Sequence, residues 1–326
     1  MTSLSLIEAA RSRFPAEVRR TPLLSSPFID EIAGRRVLVK AECLQHTGSF
    51  KFRGAWSAIS ALPEMQRASG VLAFSSGNHA QGVAAAARLV GTPAIIVMPA
   101  DSPAVKVEGV RAFGGEVRFY DRWSESREAI GAAIAEERGS VLVPPFDDPF
   151  VIEGQGTTAL ELLEQTPLLG GGAIDQLLCG ASGGGLIAGI NLVMAERSPE
   201  TRVTVVEPEA FDDTARSLAA GARVGHPQGA PSICDALMAP TPGELTFPIN
   251  RRCAGAITVS DAEVAEAVAF AFRQLKLVVE PGGAVGLAAL LSGKAEAKDR
   301  TTVVVLSGGN VDPSLFAAII EGRFGG

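Results

Sequence analysis

Short runs of β-branched residues alternate with alanine-rich stretches along almost the whole chain, and this alternation constrains the fold most strongly. The runs at 37–41, 71–74 and 94–98 have the length and composition of buried strands, and a stretch suited to a helix follows each. Parallel strands need a long connection between them, which is usually a helix. The pattern therefore predicts an α/β fold in which parallel-rich sheets are flanked by helices.

The remaining elements follow from the same pattern. Further strands are predicted at 116–120, 141–143, 176–179, 203–206 and 302–306. Helices are predicted at 50–62, 78–90, 104–113, 125–138, 152–164, 261–274 and 283–291, with another ending near 196. The segment 218–247 is rich in Gly and Pro and is predicted to be irregular. The consecutive strand–helix units between 71 and 143 indicate a smaller lobe.

Composition excludes several classes of function. Hydrophobic residues make up 47% and charged residues 20% of the 326 residues, which excludes a disordered chain. Aromatic residues reach only 6% and the net charge is −7, so neither base stacking nor attraction to phosphate backbones favours a nucleic-acid partner. The four Cys form no CxxC pair, which argues against a zinc site and favours a reducing compartment. No secretory signal is visible at the start, so we expect a cytoplasmic protein.

One segment has the length and lack of charge of a membrane-spanning helix. Residues 176–195, QLLCGASGGGLIAGINLVMA, contain no charged side chain over the length of a bilayer crossing. Five Gly, with Ser182 and Asn191, favour a buried strand, a glycine turn and a buried helix instead. We therefore expect no membrane partner.

A glycine-rich turn, Ser182-Gly183-Gly184-Gly185, stands between this strand and this helix. Backbone N–H groups at such a turn converge on an anion, and the helix dipole strengthens the attraction. A dinucleotide fingerprint is an alternative, because Gly180 and Gly185 match its outer glycines and an acid, Glu207, ends the next strand. Ser182, however, occupies the place of its middle glycine. A plain strand-to-helix turn is the third interpretation, and this loop alone leaves all three open.

Other candidate groups are individually ambiguous. The turn SSGNHAQG at 75–82 opens a helix and suits a substrate carboxylate, or is an ordinary helix N-cap. Lys51 stands between two Phe, where desolvation lowers an amine pKa and favours Schiff-base chemistry, unless it is a surface lysine. Glu207 and Asp213, with Asp212 beside them, suit a hard cation or form a solvated acidic turn. Ser307 after the last strand offers one neutral hydroxyl.

Together these groups supply a reactive lysine, a phosphate cradle, a carboxylate cradle and a neutral hydroxyl, which a pyridoxal-phosphate enzyme needs. The chain contains, in this order, TGSFKFRGA, SSGNHAQG, VIEGQGT, GASGGGL, VEPEAFDDT, VVEPGGAVG and LSGGNVD. This series resembles the two-lobed fold type II pyridoxal-phosphate enzymes, which include tryptophan synthase β. It is most similar to the group of serine/threonine dehydratases (ammonia-lyases) and serine racemases. The resemblance runs from about Arg20 to Asp312.

The resemblance implies a role for each matching residue. Lys51 would carry pyridoxal 5'-phosphate, Phe50 would pack beside its ring, and Asn78 would hydrogen-bond the ring hydroxyl. Ser307 would face the pyridine nitrogen. The phosphate would be bound by backbone N–H groups of Ser182, Gly183, Gly184, Gly185 and Leu186. The substrate carboxylate would be surrounded by Ser75, Ser76, Gly77 and His79. Lys51 and Ser76 are the implied catalytic residues, on opposite faces of the substrate.

The resemblance also implies a site for Mg²⁺ or another divalent cation at Glu207, the carbonyl of Phe211 and Asp213. Two positions depart from the pattern of the family. Ser182 replaces the first of the glycines that are usual in the phosphate loop, which leaves the backbone there less free. Phe211 replaces a small residue and adds bulk beside the cation site.

The implied architecture is a large cofactor-binding domain, residues 1–62 and 148–326, with a small α/β domain, residues 63–147, inserted in it. The cofactor would lie in the cleft at the carboxyl ends of the strands. The implied oligomer is a homodimer.

The implied activity is α,β-elimination from a β-hydroxy amino acid, giving a 2-oxo acid and ammonia. The substrate would be of the L-threonine or L-serine type, or 3-hydroxyaspartate or a related catabolic compound. A neutral Ser307 favours elimination, because the pyridine nitrogen then stays largely unprotonated. The alternative is an amino-acid racemase in which Ser76 returns a proton to the other face. A non-catalytic binding protein and a dinucleotide-dependent oxidoreductase are the remaining interpretations.

Overall fold

The computed structural model describes residues 2–75, 77–102, 104–121, 123–225, 232–296 and 301–324. Within these residues the strands form one six-stranded and one four-stranded sheet, with helices packed against both. This arrangement confirms the α/β fold with parallel-rich sheets that the sequence predicts.

The six-stranded sheet combines strands from both ends of the chain. Its order is β1 (Leu23–Ser25), β2 (Val37–Ala41), β10 (Thr301–Leu306), β7 (Ile174–Gly180), β8 (Arg202–Pro208) and β9 (Gly255–Val259). Only the pairing of β1 with β2 is antiparallel. Strands β2 and β10 are buried along their whole length, as expected where helices cover both faces of a parallel sheet.

The four-stranded sheet comes from one continuous part of the chain. Its order is β5 (Glu116–Tyr120), β4 (Ala94–Pro99), β3 (Val71–Phe74) and β6 (Val141–Leu142), and every pairing is parallel. All four strands lie within the segment 63–147 that is predicted to form the small domain. The boundaries of that domain stay a prediction.

The helices cover these sheets. They are α1 (Leu4–Ser12), α2 (Pro27–Ala33), α3 (Lys51–Ser60), α4 (Glu64–Ala68), α5 (Asn78–Val90), α6 (Ala104–Ala112), α7 (Arg127–Arg138), α8 (Pro149–Gln165), α9 (Gly185–Arg197), α10 (Asp213–Ala220), α11 (Thr246–Asn250), α12 (Asp261–Phe270), α13 (Pro281–Leu291) and α14 (Pro313–Ile320). Helices α8 and α9 pack on one face of the six-stranded sheet and α12 and α13 on the other.

The uncharged segment 176–195 forms strand β7, a glycine turn and helix α9, as predicted from its glycines. Apolar residues of α9, such as Ile187 and Ile190, are fully buried in the core of the six-stranded sheet. Across the described ranges, no helix is both long enough and apolar enough to cross a membrane.

A buried ionic cluster anchors α3 beneath the six-stranded sheet. The guanidinium of Arg53 pairs with Glu42 at 2.8 Å and with Glu161 at 2.7 Å, and Lys40 Nζ lies 2.7 Å from Glu161. Their side chains are 0–5% exposed, so these charges are compensated by one another rather than by water. The cluster fixes α3 two residues after Lys51.

Several elements differ from the sequence prediction. The sequence pattern does not predict strands β1 and β9 or helices α1, α2, α4, α10, α11 and α14, and β1 has only three residues. The segment predicted to be irregular contains the end of α10, a helical turn at Asp235–Leu237 and the start of α11, while residues 226–231 lie outside the described ranges.

Candidate functional site

A cavity of about 440 Å³ lies at the carboxyl ends of strands from both sheets. Such a volume is within the usual range for a site that binds a small molecule. Many of the residues that line it follow β3, β6, β7 and β10 or begin α3, among them Lys51, Ser75, Phe146, the turn 182–186 and Ser307. The structure thus brings together the predicted lysine, both glycine turns and the neutral hydroxyl.

Lys51 begins helix α3 in the wall of this cavity. Its Nζ donates to the carbonyl oxygen of Pro145 across 2.8 Å and lies 5.1 Å from the centre of the Phe50 ring. Burial lowers the pKa of Lys51 to about 8, although the charge of Glu280 acts in the opposite direction. The neutral amine, which is the nucleophilic form, is therefore accessible near neutral pH.

The turn 182–186 is packed so closely that glycine is required within it. Gly184 has φ +88°, and a Cβ on Gly183 would lie 2.2 Å from the Phe146 ring. Helix α9 begins at Gly185, and the first N–H groups of a helix have no acceptor within the helix. This geometry suits an anion such as phosphate.

Ser182 fits the turn in spite of departing from the family pattern. Its φ is not positive, so the position does not require glycine for conformational reasons. Its hydroxyl oxygen accepts the N–H of Ala239 at 3.2 Å, which links the turn to the segment after the Asp235–Leu237 helical turn.

Ser307 follows the central strand β10. Its carbonyl oxygen accepts the N–H of Phe50 at 3.1 Å, and Ser49 pairs with Gly308 in an antiparallel bridge. These backbone contacts hold the last strand beside the start of α3. The Ser307 hydroxyl and Lys51 consequently share one cavity wall.

The predicted carboxylate cradle opens helix α5. Ser75 Oγ accepts the N–H of Gly77 at 3.1 Å, and Gly77 precedes the first helical residue. Ser76 lies outside the described residues. Ser75, Gly77, Asn78 and His79 all line the cavity.

His79 is neutral in this environment. Burial, with the positive charge of Lys51 as the second cause, lowers the pKa of His79 to about 3. Its Nε2 lies 2.8 Å from the carbonyl oxygen of Val143, and a carbonyl only accepts, so Nε2 carries the proton. His79 therefore brings no positive charge to a substrate carboxylate.

Glu280 belongs to the site, although residue-by-residue inference from the sequence missed it. Asn78 Nδ2 donates to Glu280 Oε1 across 2.6 Å, and Asn310 Nδ2 donates to Asn78 Oδ1 across 2.7 Å. Burial and, secondly, the charge of Asp235 raise the pKa of Glu280 to about 7. Its motif VVEPGGAVG was among the segments that carry the resemblance, but a glutamate before a helix-opening proline is equally typical of an ordinary helix start.

The predicted cation ligands lie away from this cavity, at the carboxyl end of β8. Glu207 and Asp213 are fully buried and Phe211 is 5% exposed. The Glu207 carboxylate accepts the N–H groups of Thr214 at 3.1 Å and Ala215 at 2.8 Å. Burial and the like charge of Asp213 raise the pKa of Glu207 to about 8. Two neighbouring carboxyl groups offer the hard oxygen donors that Mg²⁺ and Ca²⁺ prefer, but among the described residues no cluster of three or more His, Cys, Asp or Glu side chains suits a metal.

Comparison with known proteins agrees with this geometry. A family model described as pyridoxal-phosphate dependent enzyme matches residues 15–308. The L-threo-3-hydroxyaspartate ammonia-lyase of a Pseudomonas species is 46% identical over 314 residues, covering 96% of this chain and 97% of that protein. The serine racemase of Oryza sativa subsp. indica is 42% identical over 312 residues, covering 94% of this chain and 90% of that protein.

Solved structures show the same likeness in three dimensions. Maize serine racemase superposes with a TM-score of 0.91 at 39% identity, covering 99% of this chain and 98% of that one. The threonine deaminase of T.th. superposes with a TM-score of 0.89 at 46% identity, covering 95% of this chain and 99% of that one. With its lysine, glycine turns and sheet order in place, the chain belongs to the fold type II family of pyridoxal-phosphate-dependent enzymes.

Proposed function

We propose that the chain is an ammonia-lyase that eliminates water from a β-hydroxy amino acid, with L-threo-3-hydroxyaspartate as its substrate. Two relatives that carry this name are 46% and 41% identical to the chain. The observation that carries the proposal is the composition of the cavity. Lys51 and an anion-binding turn share it with two further basic side chains, Lys106 and Arg127.

The two basic side chains distinguish a dicarboxylate from serine and threonine. The turn at Ser75 and Gly77 suits one carboxylate, which every amino acid carries. Hydroxyaspartate carries a second carboxylate, which we expect to pair with Lys106 on α6 and Arg127 on α7 in the same cavity. It would compete there with Asp235, which pairs with Lys106, and with Glu128, which lies 2.8 Å from Arg127. Serine and threonine gain nothing from these charges, so we expect them to be poorer substrates.

The residues of the cavity fit pyridoxal 5'-phosphate, because a lysine with a lowered pKa and a glycine turn with free N–H groups line the same space. We assign Lys51 to the cofactor aldehyde, Phe50 to its ring face, Asn78 to its hydroxyl and Ser307 to its ring nitrogen. The N–H groups of the turn 182–186 are assigned to its phosphate. When bound, the cofactor stabilises negative charge at the substrate Cα.

The protein supplies the group that transfers the proton and the residues that position the reacting molecules. With the substrate amine in its place at the aldehyde, Lys51 Nζ would be a free amine that takes the α-proton, for which a pKa near 8 is suited. The Cβ–O bond would break, and the leaving hydroxide would take up one proton, which balances the proton removed from Cα. One water is lost in total, so no oxidant or reductant is needed. The enamine that is released takes up water and gives the 2-oxo acid and ammonia.

A substrate panel tests this function. The purified holoenzyme is assayed for ammonia and 2-oxo acid with L-threo-3-hydroxyaspartate, its erythro isomer, L-serine and L-threonine. We expect the highest kcat/KM with L-threo-3-hydroxyaspartate, and a selective loss for this substrate in Arg127→Met. Higher kcat/KM with L-serine or L-threonine would contradict the dicarboxylate substrate but leave the lyase reaction standing.

A racemase is the second candidate, because serine racemases are 42% identical in sequence and 39% identical in a superposed structure. Ser76 would then act as the acid or base on the face opposite Lys51. Ser76→Ala should in that case lose reactions that begin or end at the D-enantiomer and retain deprotonation of the L-substrate. Chiral analysis of a serine reaction decides the matter, since D-serine accumulating faster than pyruvate would favour the racemase.

We also propose a divalent cation held by Glu207, the Phe211 carbonyl and Asp213. The pair of buried carboxyl groups supports it, since a cation would favour the ionised form of both. Exhaustive EDTA treatment should lower the melting temperature, and Mg²⁺ or Ca²⁺ should restore it. Unchanged melting temperature and rate after EDTA treatment and cation addition would refute the site.

We further propose that the chain divides into a large domain, residues 1–62 and 148–326, and a small domain, residues 63–147.

We also propose that the protein is a cytoplasmic homodimer. The four cysteines form no disulfide, which supports a reducing compartment. Phe28 and Ile32 on α2 are more than half exposed, which supports a subunit contact. Light scattering of the holoenzyme, with Phe28→Ser as the variant, measures the oligomeric state.

A further inference from the structure

Asp147 caps helix α11 from an uncommon backbone conformation. Its Oδ2 accepts the N–H of Glu244 at 2.5 Å, and its Oδ1 accepts those of Leu245 at 2.9 Å and Thr246 at 3.1 Å. The φ of Asp147 is +58°, a left-handed conformation that few residues other than glycine adopt. Three charge-assisted hydrogen bonds offset this conformational cost.

The segment that Asp147 holds in turn holds the phosphate loop. The carbonyl oxygen of Gly183 accepts the N–H of Gly243 at 3.2 Å and the hydroxyl of Thr246 at 2.5 Å. The carbonyl oxygen of Gly184 accepts Asn250 Nδ2 at 3.1 Å. The Gly183 carbonyl is therefore turned toward residues 243–250, and the Gly184 carbonyl is shared between Asn250 and the N–H of Ala188 in α9, which lies at 2.9 Å.

The direction of these carbonyl groups sets the direction of the N–H groups. In a planar trans peptide the C=O of one residue and the N–H of the next point in opposite directions, and the described residues contain no cis peptide. When the Gly183 and Gly184 carbonyls face α11, the N–H groups of Gly184 and Gly185 face away from it. These glycines line the cavity, where the N–H groups are needed.

On the assignment of the turn 182–186 to the phosphate in the proposed function, we infer that Asp147 is a positioning residue for the cofactor phosphate. It acts through α11, which turns the loop carbonyls away and leaves the loop N–H groups directed at the phosphate. The close fit at Gly243 agrees with this role, because a Cβ there would lie 2.0 Å from Asp147 Oδ1. Phe146, next to Asp147 in the connection between β6 and α8, packs against Gly183. This short connection therefore contacts the loop directly through Phe146 and indirectly through Asp147 and α11.

The test compares a ligand that carries the phosphate with one that lacks it. Cofactor-free Asp147→Ala is titrated with pyridoxal 5'-phosphate and with pyridoxal, and binding is followed by absorbance. We expect the dissociation constant for pyridoxal 5'-phosphate to rise about tenfold, as the loss of a helix cap predicts, and that for pyridoxal to stay unchanged. Asp312→Ala is the matched control, since Asp312 caps α14 through Ser314 and Leu315 at 2.9 and 3.0 Å.

Two further variants separate the cap from backbone strain and from misfolding. Asp147→Gly relieves the left-handed conformation but removes the carboxylate, so it should show the same phosphate-specific loss. Asp147→Asn keeps one acceptor oxygen and tolerates positive φ, so it should fold and show a smaller loss. Inorganic phosphate should raise the melting temperature of the cofactor-free wild type more than that of Asp147→Gly.

Three results would overturn the inference. These are wild-type affinity for pyridoxal 5'-phosphate in both Asp147→Gly and Asp147→Asn, equal losses for pyridoxal and its phosphate, and an equal effect of Asp312→Ala.

Discussion

Asn78 and Glu280 stand 202 residues apart in the chain, yet the amide of the first donates to the carboxyl of the second across 2.6 Å. Asn78 opens the helix after β3 of the four-stranded sheet, and Glu280 precedes α13 on the six-stranded sheet. The bond therefore joins the two sheets at the edge of the cavity. It also places a titratable group where its charge acts on Lys51.

Replacing Glu280 by Gln should stabilise the cofactor-free protein above neutral pH. Burial raises the pKa of Glu280 from 4.5 to about 7, so the folded state binds the proton more tightly than the unfolded state. The stability associated with the protonated group is present below pH 4.5 and is lost as the pH rises through 7. Urea unfolding should show a gain of about 3 kcal/mol at pH 8 and little gain at pH 5. An equal gain at both pH values would contradict the assignment.

Replacing Lys51 by Met should abolish attachment of the cofactor and stabilise the cofactor-free protein at pH 7. The pKa of Lys51 is lowered from 10.5 to about 8, so the folded state disfavours the ammonium form. This penalty is complete below pH 8 and disappears as the pH rises to 10.5. We expect a gain of roughly 2 kcal/mol at pH 7, after screening by water in the cavity, and almost none at pH 10. A variant less stable than the wild type at pH 7 would refute this prediction.

Replacing Gly183 by Ala should damage the phosphate loop through a steric contact. The added Cβ would lie 2.2 Å from the Phe146 ring, so the ring or the loop must move. We expect a loss of stability of about 1–3 kcal/mol and weaker binding of pyridoxal 5'-phosphate. Gly172→Ala is the matched control, since its Cβ would meet no atom within 4 Å. Adding Phe146→Leu to Gly183→Ala should restore part of the loss, and no coupling in this double-mutant cycle would contradict the contact.

Replacing Arg53 by Met should destabilise the protein strongly. It removes the guanidinium that pairs with buried Glu42 and Glu161, while Lys40 still pairs with Glu161, and an uncompensated buried charge costs about 3–5 kcal/mol. Arg53→Lys should not restore stability, because one ammonium cannot reproduce the forked contacts with two carboxylates. The exposed pair of Arg138 with Glu116 provides the control, and Arg138→Met should leave thermal and urea unfolding nearly unchanged, because water screens that pair.

The sequence predicts the fold well where local pattern decides it. Strands β3 and β5 have the predicted bounds, 71–74 and 116–120. The first, VLAF, is a continuous apolar run, the second, EVRFY, begins by alternating charged and apolar residues, and clear helices flank both. Strand β1 is missed because three residues carry no periodicity, and their pairing with β2 depends on tertiary contact. Helix α11 is missed because its cap comes from Asp147, about a hundred residues earlier.

The site is predictable to the extent that motifs mark it. Lys51 and the turn 182–186 are found because each has a chemically distinctive neighbourhood in the sequence. Glu280 is not, because its raised pKa arises from burial against residues distant in the chain. His79 is found as a lining residue, but the neutral state of its imidazole follows from burial and the nearby charge of Lys51, which lower its pKa to about 3. Residue identity therefore predicts where the site lies, whereas the protonation states of its residues depend on packing.

The position of β10 in the larger sheet determines when the cofactor pocket can form during synthesis of the chain. This strand is formed by residues 301–306, yet it lies between β2 and β7 in the middle of the larger sheet. The four-stranded sheet ends at residue 142 and can assemble while the ribosome is still adding the rest of the chain. In the larger sheet, β2 and β7 cannot be joined by their native pairings with β10 until that strand has been made. Contacts of such long sequence separation form slowly. A nascent chain thus completes the four-stranded sheet first, and its cofactor pocket can form only after β10 has been made.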